Sequence, residues 1–424
     1  MDTMPMDEVA GIVLDLVERA RSAARQLATL PSALKNEALM RMAAALEAEE
    51  TTLTAVNSRD IERATGNGLS SAMIDRLRLT PKRIHDMARG LREIAALPDP
   101  IGEVTHMWRR PNGMEIGMMR VPLGVIAFLY ESRPNVTADA VGLCLKSGNA
   151  VILRGGSEAI QSNLALRESL SKAAAAAGMP TDALQMVPIT DRRAIFELLK
   201  MDRWVDLVVA RGGEEFIRTV VQHSRIPVIK HDKGLCHTYI DNEADLAMAA
   251  KVAFNAKVQR PSVCNAMETL LVHRNIASRF LPHFCDQLKA AGVEVRGCPR
   301  TLELVPWAIA ATEEDWDTEY LDLILSIRLV DGLDDALEHI ARHSSNLSES
   351  IITTNYQKAR RFLREVDAAA VFVNASTRLT DGQEFGFGAE LGISTQKLHA
   401  RGPMGLESLT SLKYIVYGDG QIRE

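Results

Sequence analysis

Apolar side chains recur every three or four residues through most of the first hundred residues. The runs Glu8–Leu27, Asn36–Leu53 and Pro81–Leu97 carry this spacing, which predicts amphipathic helices with one face turned towards a core. Prolines and a glycine at residues 98–102 then end the helical part of the chain.

A different pattern follows in Thr105–Pro122. Two extended apolar runs flank the tripeptide Pro111-Asn112-Gly113, and Asn-Gly between such runs predicts a β-hairpin. A hairpin of this size has little core of its own, so we expect it to pack against another subunit.

From Gly124 onward, short continuous apolar runs alternate with helical spacing. The predicted strands of the first series are GVIAFLY, AVILRGG, LQMVPI, VDLVVARGG and IPVIKH; a second series begins near Tyr239 with ETLLVH, VEVRG, ILSIRLV, SESIITT and AAVFVNA. Such strands, separated by helices, are typical of parallel sheets covered on both faces. We predict an α/β protein with two parallel-sheet domains facing a cleft and a linker near His231–Asp241.

The composition narrows the class of protein. Of the 424 residues, 46% are hydrophobic and 25% are charged, which is typical of a globular chain with a large core and excludes a disordered one. The formal charge of −6 disfavours a general nucleic-acid binder, although not a local phosphate site. The sequence has no apolar run of about 18 residues, so we expect no membrane span.

The cysteines are sparse and scattered, at Cys144, Cys236, Cys264, Cys285 and Cys298. None forms a CxxC pair, so we expect neither a disulfide framework nor a metal site. The first residues are acidic where a signal peptide would be basic. Reduced thiols without a secretory signal predict a cytoplasmic protein.

Cys264 is the strongest chemical candidate. It lies in KVQRPSVCNAMETLLVH, between a predicted helix and a strand, where a thiol can act as a nucleophile or pack as a buried structural residue. A thiol needs a nearby cation to ionise at neutral pH, and Lys257, Arg260 and His231 are possible helpers. Cys236 is the rival thiol, but its neighbour on the strand points to the opposite face, so we interpret it as structural, together with Cys144 and Cys285.

Two strand–glycine–helix turns could bind a nucleotide. In LRGGSEA, Ser157 is the predicted N-cap of the helix, and ARGGEE has the same form at Gly212 and Gly213. A helix N-terminus offers free N–H groups to an anion; each turn alone is weak evidence, but two in one sheet predict a nucleotide site. GFGAELG lacks the spacing of a dinucleotide fingerprint.

The segment 374–405 is unusually polar and rich in glycine. Long loops in compact domains are often functional, although a solvated loop is the alternative. Its cations Arg378, Lys397 and Arg401 would suit an acidic ligand.

Four motifs together carry a family resemblance: PLGVIAFLYESRPNV, GNAVILRGGSEA, QRPSVCNA and GISTQKLHARGPMGLE. They resemble the gamma-glutamyl phosphate reductase (glutamate-5-semialdehyde dehydrogenase) family, a branch of the aldehyde dehydrogenase superfamily. The resemblance spans the chain from Pro122 to the C-terminal region. It implies an aldehyde dehydrogenase-like fold with a small β oligomerisation unit.

The resemblance also implies where the domains begin and end. An NADP-binding domain is expected at residues 1–104 and 125–238, and a catalytic domain with the nucleophilic cysteine at 239–401. An oligomerisation hairpin and strand are expected at 105–124 and 413–424, with a helix at 402–412 returning to the cofactor domain.

The implied reaction is the reduction of L-glutamate 5-phosphate by NADPH to glutamate-5-semialdehyde and phosphate, in proline biosynthesis. The resemblance implies a homo-oligomer and leaves a contact with a glutamate 5-kinase open. Neither nucleic acid nor a membrane is an expected partner.

Residue by residue, Cys264 matches the nucleophile of the motif. Asn135 falls near the oxyanion-stabilising asparagine of the superfamily, with Arg133 as an alternative occupant. Arg154 stands where relatives carry a cofactor-contacting lysine and, with Ser157, is expected to hold the adenosine ribose and its 2′-phosphate.

The remaining assignments are cofactor contacts at Gly212 and Gly213, and substrate contacts at Arg133, His231, Arg378 and Arg401. No metal is expected.

One departure from the superfamily is informative. Hydrolytic aldehyde dehydrogenases carry Glu-Leu-Gly-Gly, whose glutamate activates water, whereas this chain has His231-Asp232-Lys233-Gly234. The missing glutamate favours acyl transfer to phosphate. The alternatives are a hydrolytic NAD(P)-dependent semialdehyde dehydrogenase, a cysteine hydrolase and a catalytically silent nucleotide-binding protein.

Overall fold

The computed structural model describes residues 4–131, 133–230 and 233–423. The chain divides into two compact units. The first takes in residues 1–230, 386–392 and 404–424, and the second takes in residues 231–385 and 393–403.

The first unit begins with helices and then alternates strands and helices. Its elements are α1 (Met6–Leu27), α2 (Ser32–Ala48), α3 (Glu50–Gly66), α4 (Ser71–Leu77), α5 (Pro81–Ala96), β1 (Val104–Arg109), β2 (Glu115–Pro122), β3 (Val125–Tyr130), α6 (Val136–Lys146), β4 (Ala150–Arg154), α7 (Ile160–Ala176), β5 (Leu184–Met186), α8 (Arg193–Leu198), β6 (Leu207–Arg211), α9 (Glu214–His223) and β7 (Val228–Ile229). The predicted helical first part and the alternation after Gly124 are confirmed.

A parallel sheet forms the centre of the first unit. Its strand order is β5-β4-β3-β6-β7, and each neighbouring pair is parallel. Every residue of β3 and β4 is buried, as the continuous apolar runs predict for a sheet covered on both faces. The ends of β3, β4 and β6 lead into polar turns that contain Glu131, Gly155 and Gly212.

The second unit is a larger parallel sheet with its own helices. Its elements are β8 (Cys236–Ile240), α10 (Leu246–Val258), β9 (Met267–His273), α11 (Arg274–Ala290), β10 (Glu294–Gly297), α12 (Pro299–Leu304), β11 (Ile309–Ala310), β12 (Ile324–Val330), α13 (Leu333–His343), β13 (Ser348–Ile352), α14 (Tyr356–Glu365), β14 (Ala370–Val373), β15 (Ile393–Ser394) and β16 (Gly402–Pro403). The seven-stranded sheet has the order β11-β10-β12-β9-β8-β13-β14. Apolar residues of β9, α10 and α11 form its main core.

The predicted hairpin is confirmed and has a third strand. β1 and β2 pair antiparallel, and β17 (Thr410–Tyr417) pairs antiparallel with β2 along its whole length. The resulting three-stranded sheet, β1-β2-β17, is the small β unit that the resemblance implies.

Three of the expected boundaries are wrong. Residues 402–412 do not form a helix: Gly402 takes a φ of 87°, Pro403 lacks an N–H, and only a 3₁₀ turn at Glu407–Leu409 precedes β17. The first domain does not extend to residue 238, because β8 pairs with β9 and β13 of the second sheet. The segment 386–392 lies in the first unit and not in the catalytic domain.

Within the described residues, no helix is long and apolar enough to cross a membrane.

Candidate active site

Cys264 lies in the loop that joins α10 to β9, and its side chain is half-buried. The Ala266 N–H donates to the Val263 carbonyl across this loop at 3.0 Å. Gly234 packs directly on its backbone, since a Cβ built on Gly234 would lie 2.1 Å from the Cys264 carbonyl oxygen. Because real Cβ atoms do not approach so closely, only glycine fits at residue 234 while the thiol keeps this position.

The next residue, Asn265, anchors the cysteine loop. Its buried Nδ2 donates to the Thr380 carbonyl at 2.8 Å, and its own carbonyl accepts from Thr377 Oγ1 at 2.8 Å. The guanidinium of Arg378 donates to Asn265 Oδ1. Asn265 is not among the site residues predicted from the sequence, although its position beside the nucleophile in VCNA is a signal that points to it.

Arg378 brings a positive charge to the loop that carries Cys264. Burial lowers the pKa of its guanidinium and nearby Arg260 lowers it further, whereas Asp381 and the thiols of Cys264 and Cys236 act in the opposite direction. Its bond to Asn265 holds the guanidinium beside the cysteine loop, where a nearby cation favours the thiolate form of a cysteine. Arg260 belongs to the same loop, so two positive charges lie on or beside the segment that carries Cys264.

Lys257 does not have the expected helper role. Its Nζ lies 2.6 Å from Glu268 Oε2, and both side chains are fully buried. Burial raises the pKa of Glu268 to about 7 against the opposing effect of Lys257. The pair joins the end of α10 to the start of β9, so it closes the base of the cysteine loop. The third expected helper, His231, lies outside the described residues.

Arg401 forms an ion pair with a carboxylate of the same chain. Its Nη1 donates to Asp367 Oδ1 at 2.9 Å, and Lys397 Nζ lies 2.5 Å from the other oxygen of Asp367. Together these cations lower the pKa of Asp367. Both cations are thus paired with an internal carboxylate, and the substrate contact at Arg401 stays a prediction.

In the first unit, Arg154 ends β4 and is buried. Its guanidinium donates to the carbonyls of Gly155 at 2.8 Å and Thr190 at 3.3 Å. Its Nε is buried and has no hydrogen-bond partner within the described part of the chain. Burial lowers the pKa of Arg154, Glu158 acts in the opposite direction, and Arg192 lowers it as a second nearby cation.

The two glycine turns differ from each other. Ser157 is not an N-cap, because Gly156 is the N-cap of the short 3₁₀ turn that Ser157 opens and Ala159 is the N-cap of α7. The second turn has the predicted form: Gly213 is the N-cap of α9, and its N–H donates to Glu131 Oε2 at 2.9 Å. Gly212 has no room for a Cβ beside Glu131.

Asn135 and Arg133 lie where the chain leaves β3 and enters α6. Asn135 is half-buried and is the N-cap of α6, yet its side chain makes no capping bond. Arg133 is exposed. Both belong to the first unit, whereas Cys264 belongs to the second.

The remaining expectations concern cysteines and metals. Cys144, Cys236 and Cys285 are buried, as expected for packed thiols. Among residues 4–131, 133–230 and 233–423, no cluster of His, Cys, Asp and Glu side chains could hold a metal ion.

Comparisons with known proteins agree with this architecture. The aldehyde dehydrogenase family model matches residues 9–301. Gamma-glutamyl phosphate reductase of Moorella thermoacetica is 62% identical over 407 residues, covering 96% of this chain and 97% of that protein. The protein of the same name from Syntrophomonas wolfei is 56% identical over 406 residues, covering 96% of this chain and 97% of its own length.

A solved structure extends the likeness to three dimensions. The crystal structure of gamma-glutamyl phosphate reductase from Thermotoga maritima has a TM-score of 0.95 and 45% identity, covering 97% of this chain and 100% of that one. The fold and the sequence thus define the class: the chain belongs to the aldehyde dehydrogenase family. Within it, the chain falls among the gamma-glutamyl phosphate reductases. Members of the wider family use a nicotinamide dinucleotide.

Proposed function

We propose that this protein reduces L-glutamate 5-phosphate to L-glutamate 5-semialdehyde and phosphate with NADPH, in proline biosynthesis. The observation that carries the proposal is the half-buried Cys264, held by Gly234 and Asn265 beside the Arg378 guanidinium. It is supported by 62% identity to a protein named for this activity. A cysteine hydrolase would share the thiol but would not need the nucleotide turns.

The first unit has residues that fit a dinucleotide phosphate. The orphaned Nε of Arg154 and the charge of nearby Arg192 suit the 2′-phosphate that distinguishes NADPH from NADH. The α9 N-terminus already binds the Glu131 carboxylate through Gly213, so it can bind an anion. Ser157 is exposed at the end of the first turn, which makes its hydroxyl available for the ribose.

The chemistry at sulfur is covalent. The Cys264 thiolate, stabilised by Arg378, attacks the carbonyl carbon of the acyl phosphate, and phosphate leaves to give a thioester. The Cys264 backbone N–H and the Asn135 side-chain amide are our proposed donors to the oxyanion. When bound, NADPH supplies the hydride that reduces the thioester. Cys264 then expels the aldehyde and returns as the thiolate.

The absence of a glutamate at residue 231 favours phosphate over water as the acyl acceptor. In a hydrolytic aldehyde dehydrogenase, a carboxylate would activate water and consume the thioester. The arginines Arg378 and Arg260 suit the phosphate group, either on the substrate or free. We assign Arg133 and His231 to substrate binding on the family resemblance alone.

The sheet β1-β2-β17 is our proposed oligomerisation surface. Its exposed apolar side chains include Met107, Leu412, Tyr414 and Val416, and Trp108 packs edge-on against Tyr414 with ring centroids 6.3 Å apart. A small sheet exposing such residues is typical of a protein–protein contact. We infer a closed homo-oligomer.

The reverse reaction tests the function. Glutamate 5-semialdehyde and NADP⁺ are incubated with the protein, with and without phosphate, and NADPH formation is followed by its absorbance. We expect oxidation that depends on phosphate, with arsenate as a substitute. Fast oxidation without phosphate, yielding free glutamate, would establish the hydrolytic alternative. No reaction with NADP⁺, combined with ester hydrolysis, would establish the cysteine hydrolase.

A further inference from the structure

A second thiol lies directly against the backbone of the nucleophile. Cys236 is the first residue of β8, and its Sγ donates to the Cys264 carbonyl oxygen at 3.4 Å. We propose that Cys236 is a resolving thiol, which forms a reversible disulfide with Cys264 when a peroxide oxidises the nucleophile. The proposal rests on the nucleophilic role of Cys264 proposed above.

Packing places the two side chains in one apolar cluster. Cys236, Leu347 and Ile393 are its buried members, and the half-buried Cys264 packs against them. Gly234, two residues before Cys236, has no room for a Cβ against the Cys264 backbone. The backbone just before β8 therefore contacts the backbone of the loop that carries Cys264. This contact keeps the two cysteines adjacent.

The two thiols differ in access to solvent. Cys236 is 0% exposed, so a small oxidant from solution reaches the half-buried Cys264 first. Burial raises the pKa of the Cys236 thiol well above its usual value, and Glu349 raises it further, so Cys236 stays protonated. The thiolate is the form that peroxides oxidise, and Arg378, bonded to Asn265 next to Cys264, supplies the nearby cation that favours a thiolate.

The chemistry balances with hydrogen peroxide as the oxidant. The Cys264 thiolate attacks one peroxide oxygen, the O–O bond breaks, and the departing hydroxide takes a proton to become water. Sulfur is thereby oxidised to a sulfenic acid. The Cys236 sulfur then attacks the Cys264 sulfur, an S–S bond forms, and the thiol proton leaves with the hydroxyl as a second water. Two thiols and one peroxide thus yield one disulfide and two waters.

Without a resolving thiol, oxidation continues. A second peroxide converts the sulfenic acid to a sulfinic acid, which dithiothreitol does not reduce. The disulfide would hold Cys264 in a recoverable state. In the reduced protein, Cys236 takes no part in the reductase reaction.

Peptide mapping tests the proposal independently of activity. The full-length protein is treated with hydrogen peroxide, alkylated under denaturing conditions and digested with trypsin without reduction. Cleavage after Lys251 and Lys257 separates the two cysteines, so a disulfide appears as a linked pair of peptides in the mass spectrum. We expect this linked pair in the parent protein and its loss after dithiothreitol.

Variants supply the second readout. Parent and Cys236→Ala are oxidised equally and then reduced, and we expect the recovered fraction of activity to be roughly tenfold greater in the parent. The peptide containing Cys264 should carry two added oxygens in the Cys236→Ala protein. Cys298→Ala removes the other half-buried thiol and should recover like the parent.

The outcomes separate this proposal from the proposed function. The absence of a Cys236–Cys264 linked pair, with equal recovery of parent and Cys236→Ala, would overturn the resolving role. Activity retained by Cys264→Ala would instead overturn the covalent mechanism, and peptide mapping would still report whether the disulfide forms.

Discussion

The Gly234 backbone lies against the Cys264 backbone with no space for a side chain between them. A Cβ on Gly234 would meet the carbonyl oxygen, Cα and carbonyl carbon of Cys264 at 2.1, 2.4 and 2.6 Å. All three are backbone atoms, so no rotation of a flexible side chain can relieve the contact. The position of the nucleophile therefore depends on a residue 30 positions earlier in the chain.

Gly234→Ala should displace the cysteine loop. Because a shift of about 1 Å in a reacting group can cost around 10²-fold in rate, we expect kcat to fall by about that factor while NADPH binding persists. Steady-state kinetics and NADPH fluorescence titration measure the two effects. Gly332→Ala is the matched control, since a Cβ there meets nothing within 4 Å. Unchanged kcat in Gly234→Ala would contradict the packing argument.

Cys264→Ala should abolish turnover, because Cys298, the other half-buried thiol among the described residues, lies outside the loop between α10 and β9. The fold and NADPH binding should remain near those of the parent. Cys285→Ala, which changes a thiol buried in the α11 core, and Cys236→Ala should stay active. Turnover by the Cys264 variant, measured from NADPH consumption, would rule out the thioester.

Arg154→Ala should raise the KM for NADPH and leave that for NADH almost unchanged. A hydrogen bond to a charged group contributes about 1.5–3 kcal/mol, so the expected rise is roughly 10–100-fold. Arg203→Ala changes an exposed arginine of the same unit and should have no such effect. Equal use of the two cofactors by the parent would remove the basis for the assignment.

Introducing charged residues on the exposed apolar face of the β1-β2-β17 sheet should dissociate the oligomer. Tyr414 and Val416 are two residues apart on β17, share a face, and are 67% and 56% exposed. We expect Tyr414→Lys with Val416→Lys to reduce the native mass measured by light scattering to that of one chain. Lys413→Ala changes the exposed residue immediately before Tyr414 and should leave the mass unchanged. A monomeric parent protein would refute the inference.

Asp315 should make stability depend on pH in the acid range. Burial raises the pKa of Asp315, but the Thr312 N–H, Arg296 and Tyr320 together lower it to about 2. Because the folded pKa lies below the unfolded value of about 3.9, the charged form of Asp315 stabilises the fold at neutral pH. This stabilisation is lost as the pH falls from about 4 to 2. Asp315→Asn should therefore lower the free energy of unfolding at pH 7 by about 2 kcal/mol.

Urea denaturation at pH 7 and pH 3 tests this expectation. The difference in free energy between parent and Asp315→Asn should shrink at pH 3. Asp317→Asn changes the exposed carboxylate of the same turn and should lower the free energy of unfolding by less than about 0.5 kcal/mol. An equal loss at both pH values would show that Asp315 does not act through its charge.

The local pattern of apolar and polar residues was enough to predict most of the helices and strands. Periodic apolar spacing predicted the helices of the first hundred residues, and continuous apolar runs predicted strands such as Ile324–Val330, which the structure confirms. Asn112-Gly113 predicted the hairpin. These signals are readable because helix, strand and turn preferences depend on residues close together in the chain.

The sequence also singled out Cys264 and its motif, but the surroundings of the thiol were decided by tertiary structure. Gly234 and Arg378 reach the cysteine loop from two separate segments, and no spacing rule links positions that far apart. Lys257, a cation close in sequence, is instead buried against Glu268. Burying an unpaired charge is costly in free energy, so a buried lysine needs an oppositely charged partner. Only the folded chain shows which carboxylate is close enough.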